Sequence, residues 1–174
     1  MAIYSPLRLR RQVAQRAEAK QRLIVFQLQS VTFALALDGV VKVTTLERLY
    51  GDAAGTGAIF ITYQGQEIAA IDPGVKIFGQ PPIAIPSLDA LRTIDPLSHE
   101  GSYSIVLQSP TRGLIGLPID SKPSISSIVF SAFVPLLEAH SPEQSDNLQC
   151  VKSFYAREDR STIHLLDTAR LLER

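Results

Sequence analysis

The chain carries little with which to perform covalent or metal chemistry. A single cysteine, Cys150, stands among 174 residues, so no internal disulfide forms and the composition suits a reducing compartment. The only basic residue close to it in sequence is Lys152, which favours a buried, inert thiol over a nucleophile. The three histidines, His99, His140 and His164, are widely separated, without the His-x-x-x-His or His/Cys spacing of a metal site. No Gly-x-Ser-x-Gly elbow occurs. Residues 51–57 carry glycines, but no Lys-Ser/Thr follows, so they are not a phosphate loop. These absences lead us to expect no enzyme, no cofactor and no metal. Lys plus Arg equals Asp plus Glu at 17 each, which argues against a nucleic-acid surface. No apolar run approaches the ~18 residues that a bilayer span needs, so no integral membrane segment is expected. The basic start lacks the apolar stretch of a signal peptide. A soluble cytoplasmic protein is the expectation.

What is present is a series of short strand patterns behind a basic arm. Ser5-Pro6 followed by residues 7–22 reads as a helix start, with serine as cap and proline inside it. Leu9, Val13 and Ala17 fall on one side, against Arg8, Arg10, Arg11, Arg16, Lys20 and Arg22. We therefore expect a helical arm over 1–21. Residues 23–28 and 31–37 read as two strands around Gln29-Ser30; in the second, Val31, Phe33, Leu35 and Leu37 share a face. Asp38-Gly39 turns the chain, and Val40, Val41 and Val43 continue as a strand. Residues 45–50 suggest a helical turn.

Residues 57–79, GAIFITYQGQEIAAIDPGVKIFG, hold the clearest local unit. Residues 58–63 and 68–71 are apolar runs separated by Gln64-Gly65, a tight hairpin whose glycine supplies positive φ. Asp72 then caps a short helix that Pro73 enters at its first position and Gly79 closes. Residues 81–96 contain four of the 11 prolines, so 81–101 is expected as a linker, with one short helix possible over 87–93. Residues 103–108 and 114–119 form a further hairpin, in which Pro118 indicates an edge or bulge position.

The chain opens twice in the same way. IVFQLQ, a turn, FALAL and Asp38 are matched by SIVLQS, a turn, LIGLPI and Asp120. It also closes twice in the same way: Ile71-Asp72 leads into one capped helix, and residues 163–166 with Asp167 lead into another over 168–172. Short strands, turn signals and no long amphipathic helix after residue 22 predict a mainly β, all-β chain with a duplicated organisation.

Gly57, Ile59, Gly65, Ile71 and Asp72 stand in register with the central signature of the CheW family, the coupling proteins of bacterial chemosensory arrays. The chain resembles that family over about residues 22–173. Thr62 replaces the family's Asn, Gln64 its Arg and Ala69 its Pro. In the second half Gly116 and Asp120 fit a second family pattern, and residues 161–172 resemble its terminal strand and helix. The resemblance implies two packed five-stranded SH3-like β-barrels, the first about 22–80 and the second about 102–174. It implies a non-enzymatic adaptor that couples the regulatory domain of a CheA-type histidine kinase to the cytoplasmic tip of a chemoreceptor. Val40 and Lys42 stand where the family contacts partners; Gly57, Gln64 and Gly65 stand in its receptor-facing hairpin. Val40 reads equally well as core, and Gly65 as a turn residue. The alternative is an SH3-like barrel binding nucleic acid through the basic arm, which lacks aromatic-basic interleaving in the strands.

Overall fold

The computed structural model describes residues 19–51, 57–81, 102–136 and 148–173. Among the described residues twelve strands and two short α-helices follow in order. The first half holds β1 (Lys20–Leu28), β2 (Val31–Ala36), β3 (Val40–Thr45), β4 (Leu49–Gly51), β5 (Ile59–Tyr63), β6 (Gln66–Ala70) and α1 (Pro73–Lys76). The second holds β7 (Tyr103–Ser109), β8 (Gly113–Ile119), β9 (Ser124–Val129), β10 (Val134–Pro135), β11 (Val151–Ala156), β12 (Thr162–Leu166) and α2 (Thr168–Leu172). The all-β expectation holds, with α-helices of four and five residues among the described residues.

Turn chemistry produces the hairpins. Gln29 and Ser30 both adopt positive φ (47° and 69°), as do Gln64 and Gly65 (52° and 74°). Two consecutive left-handed residues match the twist of the flanking strands, so β1 pairs β2 and β5 pairs β6 without irregularity.

The strands form two six-stranded sheets, ordered β10-β11-β12-β2-β1-β9 and β3-β7-β8-β6-β5-β4. Without the two-residue β10 and the three-residue β4, each has five. Residues 22–80 and 102–174 do not map one-to-one onto the sheets. The first opening hairpin, β1-β2, pairs with β9 and, in parallel, with β12. The second, β7-β8, pairs with β3 and, in parallel, with β6. Each half therefore lends its opening hairpin to the other, and the two sheet orders correspond strand for strand.

The exchange explains why the opening strands read as nearly continuous apolar runs. Ile24, Phe26, Leu28, Phe33 and Leu35 join Ile105, Leu107, Leu117 and Ile119 in one core shared by both sheets, completed by Ile77, Val151, Leu166 and Leu171. Leu23 and Ala34 lie instead in a second core with Ile128, Phe133, Ile163 and Leu165. Both faces of β1 and β2 are buried, so alternation gives way to a run.

Both helices are capped as their sequences imply. The Asp72 carboxylate accepts from Gly74 N at 2.8 Å and Val75 N at 3.3 Å; Asp167 accepts from Ala169 N at 3.0 Å and Arg170 N at 3.3 Å. Asp72→Ala and Asp167→Ala should each lower stability by about 1 kcal/mol, while the Asn variants stay within a few tenths. Urea unfolding of the four variants checks this; equal losses for Ala and Asn would show that the carboxylate charge, not the cap, is what matters.

Three local expectations are corrected or refined. Residues 45–50 are not a helical turn: Thr45 ends β3 and Leu49–Gly51 is β4, because Leu49, Tyr50 and Gly51 pair with Ile61, Phe60 and Ile59. Lys20 and Gln21 belong to β1 rather than to a helical arm, since β9 offers Val129 and Ile128 opposite them; residues 1–18 lie outside the described residues, as does 82–101 with the helix expected at 87–93. Pro118 sits inside β8 opposite Ser104. Gly116 directs its carbonyl to Ile71 N, just past the end of β6, at 2.8 Å, and by alternation Pro118 faces the same side. The β6 pairing is confined to Ala70 opposite Gly116, so the donor that proline lacks falls where β6 has already left.

Candidate functional site

The five candidate contact residues all belong to the sheet β3-β7-β8-β6-β5-β4 or its turns, but they do not form one cluster. Val40 opens β3, a sheet edge, opposite Leu107. It is half-buried and packs on the shared core, so its core role is real. Lys42 is exposed on the same edge, opposite Val106. The pairing register runs a row across the sheet through Lys42, Val106, Gly116, Ala70 and Ile59. Gly57, at φ 84°, enters β5 just beyond one end of that row. Gln64 and Gly65 sit at the other end of β5, about 16 Å along the strand from Ile59 at ~3.3 Å per residue.

Gln64 is exposed at the hairpin tip, where nothing in the fold prescribes its side chain. Gly65 has φ 74° and no heavy atom within 4 Å of a Cβ built there. Its constraint is therefore conformational: an L-residue would be strained, though space is open.

The hairpin is braced from β4. Tyr50 is buried, its ring lies 6.1 Å from that of Phe60 at 24°, and its hydroxyl donates to Glu67 Oε2 at 2.7 Å. Burial first, and the Glu67 bond second, push the Tyr50 phenol up to about 12, so it stays a donor throughout the neutral range. Tyr50 was not singled out from sequence because β4 itself was not.

Exposed apolar side chains, also missed, mark sheet edges. Val41 is 49% exposed where the β3–β7 register shifts between Val40 and Lys42. Ile125 (61%) lies on edge strand β9, Phe130 (58%) follows it, and Val134 (39%) is on the opposite edge strand β10. Consecutive valines at 40–41 were a signal for one outward side chain; the serine-rich β9 gave none.

Among the described residues His164, Cys150 and Asp159 are held in local bonds. His164 Nδ1 bonds the Thr32 carbonyl at 3.3 Å, its ring lies 5.7 Å from that of Phe33, and burial lowers its pKa. The Cys150 thiol donates to the Lys76 carbonyl at 3.6 Å, and burial raises its pKa, which disfavours the nucleophilic thiolate. Asp159 accepts from Ser161 N and Oγ, bonds that lower its pKa, and closes the exposed 157–161 turn. Among the described residues no three His, Cys, Asp or Glu side chains are grouped to hold a metal, and no helix is long and apolar enough to cross a membrane.

Two sheets that exchange opening hairpins over a shared core define a CheW-type fold. The scaffolding protein TtCheW from Thermoanaerobacter tengcongensis has this architecture: its crystal structure matches the chain with a TM-score of 0.62 at 16% identity, over 90% of each chain. No protein-family model matches the sequence, and no curated protein matches it.

Proposed function

We propose that the chain is a non-enzymatic adaptor of bacterial chemosensory signalling that couples a CheA-type histidine kinase to a receptor through protein–protein contacts. The observation that carries this reading is the likeness to a scaffolding protein over 90% of both chains. The exposed edge residues Val41, Ile125, Phe130 and Val134 supply apolar anchors of the kind that dominate protein interfaces. Val40, Lys42, Gly57, Gln64 and Gly65 are the assigned partner contacts, and the setting is the cytoplasm. The purified chain should bind the regulatory domain of the kinase from the same cell without nucleotide or metal, at about tens of micromolar or tighter. Calorimetry that registers no heat, together with no co-elution at that concentration, would count against the proposal.

Gln64 tunes the receptor contact. An arginine there carries a permanently charged planar fork able to hold a carboxylate in two bonds, whereas glutamine offers a neutral amide. Gln64→Arg should strengthen binding to a receptor tip by about 1–3 kcal/mol, the scale of a charge-assisted hydrogen bond, and leave kinase binding unchanged. The tip is exposed and already at φ 52°, so the substitution disturbs no packing. Equal receptor affinity for both proteins, measured by calorimetry, would show that residue 64 does not limit the contact.

A further inference from the structure

The edges of the two sheets are not finished alike. Among the described residues β10 and β9 bound one sheet, and β3 and β4 the other. A free edge presents unpaired N–H and C=O groups to any other strand, and proteins blunt it with short strands, proline, lysine or a bulge. Three of these edges are blunted in that way. β10 is two residues long and ends in Pro135, β4 is three residues long, and β3 carries Lys42 next to a register shift. β9 has none of these devices. It runs six residues as SISSIV, without charge or proline, and pairs β1 at consecutive positions with no shift. The contrast with β3 matters most, because β3 and β9 occupy equivalent places in the duplicated fold.

The end of β9 fixes which way its backbone groups point. Phe130 N donates to the Ala19 carbonyl at 3.0 Å, which continues the β1–β9 ladder by one pair beyond Lys20 and Val129. Hydrogen-bonded pairs alternate along an antiparallel ladder. Ser124, Ser126 and Ile128 therefore turn N–H and C=O toward β1, and Ile125, Ser127 and Val129 turn theirs outward. Pro123 stands at the preceding outward position and has no N–H to offer. Ser127 is exposed, and Ile125 and Phe130, on and just after the strand, are two of the four large apolar side chains exposed among the described residues.

We propose that β9 is a dimerisation edge, on which two copies of the chain pair antiparallel across a two-fold axis at Ser127. In that register Ser127 lies opposite its own counterpart, and Ile125 lies opposite Val129 of the second copy, once on each side of the axis. Every outward N–H and C=O of both strands is then used. A register moved by two residues sets one outward residue opposite Pro123 or beyond the end of the strand. The occupant is a second copy because a two-fold sets each residue against one from the same strand, where a charge would stand near itself. SISSIV carries no charge, and its apolar residues and serines match their own kind in this register. The ladder is short, so the dimer is a weak one.

Sedimentation equilibrium of the full chain alone tests this. The average mass should rise from one chain toward two between about 10 and 1,000 μM. Ser127→Lys and Ser127→Glu each place like charges opposite one another at the axis, and each should weaken association about fivefold or more. An equimolar mixture of the two variants sets lysine against glutamate and should associate at least as well as the unaltered chain. Ser127 is exposed, so both variants stay folded; circular dichroism checks this, and a misfolded variant would not recover on mixing. A monomer at about 1 mM, undiminished association of either variant, or no recovery in the mixture would overturn the proposal. So would a mass that grows beyond two chains, which would mean a head-to-tail contact such as β9 on the β3 edge of the next copy. Neither kinase nor receptor enters the experiment, so its failure leaves the coupling function standing.

Discussion

Phe33→Ala is expected to lower stability by about 3–5 kcal/mol, the range for removing a fully buried phenylalanine. Phe33 has no exposed surface. Its ring lies 6.3 Å from that of Phe26 in β1, 5.8 Å from Phe78 after α1 and 5.7 Å from His164 in β12. These three neighbours come from the residue's own hairpin, from the segment that closes the first half, and from the last strand of the second half. One ring thus bridges its own hairpin, the close of the first half and the last strand of the second, and its loss leaves a cavity bordered by all three. Urea unfolding should show a lower midpoint with an unchanged slope. Phe130→Ala, at a ring that is 58% exposed, should stay within about 0.5 kcal/mol. A loss below about 1 kcal/mol for Phe33→Ala would mean that the shared core does not depend on this ring.

The second large effect is expected at Gly116. A Cβ there would run into Ile61 Cδ1, would lie 2.8 Å from Ile61 Cγ1, and would lie 3.3 Å from Ser104 Oγ. Ile61 is fully buried in β5, so it has no free space into which to retreat. Gly116 is also the point where β8 meets β6 in parallel, with Ile71 N bonded to its carbonyl. The glycine is required for close approach and not for an unusual φ. Gly116→Ala should therefore cost about 1–3 kcal/mol through overpacking, and Gly116→Val more. Ile61→Val removes the Cδ1 that is struck first. In a double-mutant cycle it should recover part of the loss, with a coupling of about 0.5–3 kcal/mol. Additive losses would show that the strain is released elsewhere.

These two sites illustrate what was and was not legible in the sequence. The resemblance to a second family pattern singled out Gly116, but nothing near it in the chain names Ile61, which lies 55 positions earlier. Gln64-Gly65 was legible as a turn because a two-residue hairpin needs left-handed backbone at its centre. That the tip is exposed followed from the turn itself. The position of Gly57 followed as well: the run 58–63 separates it from Gln64, and it lies at the far end of β5. The valines at 40–41 signalled one outward side chain, and the register shift in β3 made it Val41. β9, with serine at 124, 126 and 127, carries too few apolar residues for an alternation to show, and it forms because β1 offers it six paired positions.

By itself, the sequence determined the local structure: the hairpin turns at 29–30 and 64–65, the aspartate caps at 72 and 167, the β class, and the fact that the chain opens and closes twice alike. Each depends on residues within a few positions of one another, whose backbone preferences and hydrogen-bonding groups act without help. The tertiary structure alone decided which hairpin completes which sheet. IVFQL and IVLQS present nearly the same apolar pattern, so strand propensity does not distinguish pairing within a half from exchange between halves. The choice rests on contacts far apart in the chain, where Phe33, Ile77, Leu117 and Leu166 meet in one core and where β12 and β6 align in parallel with a hairpin from the other half.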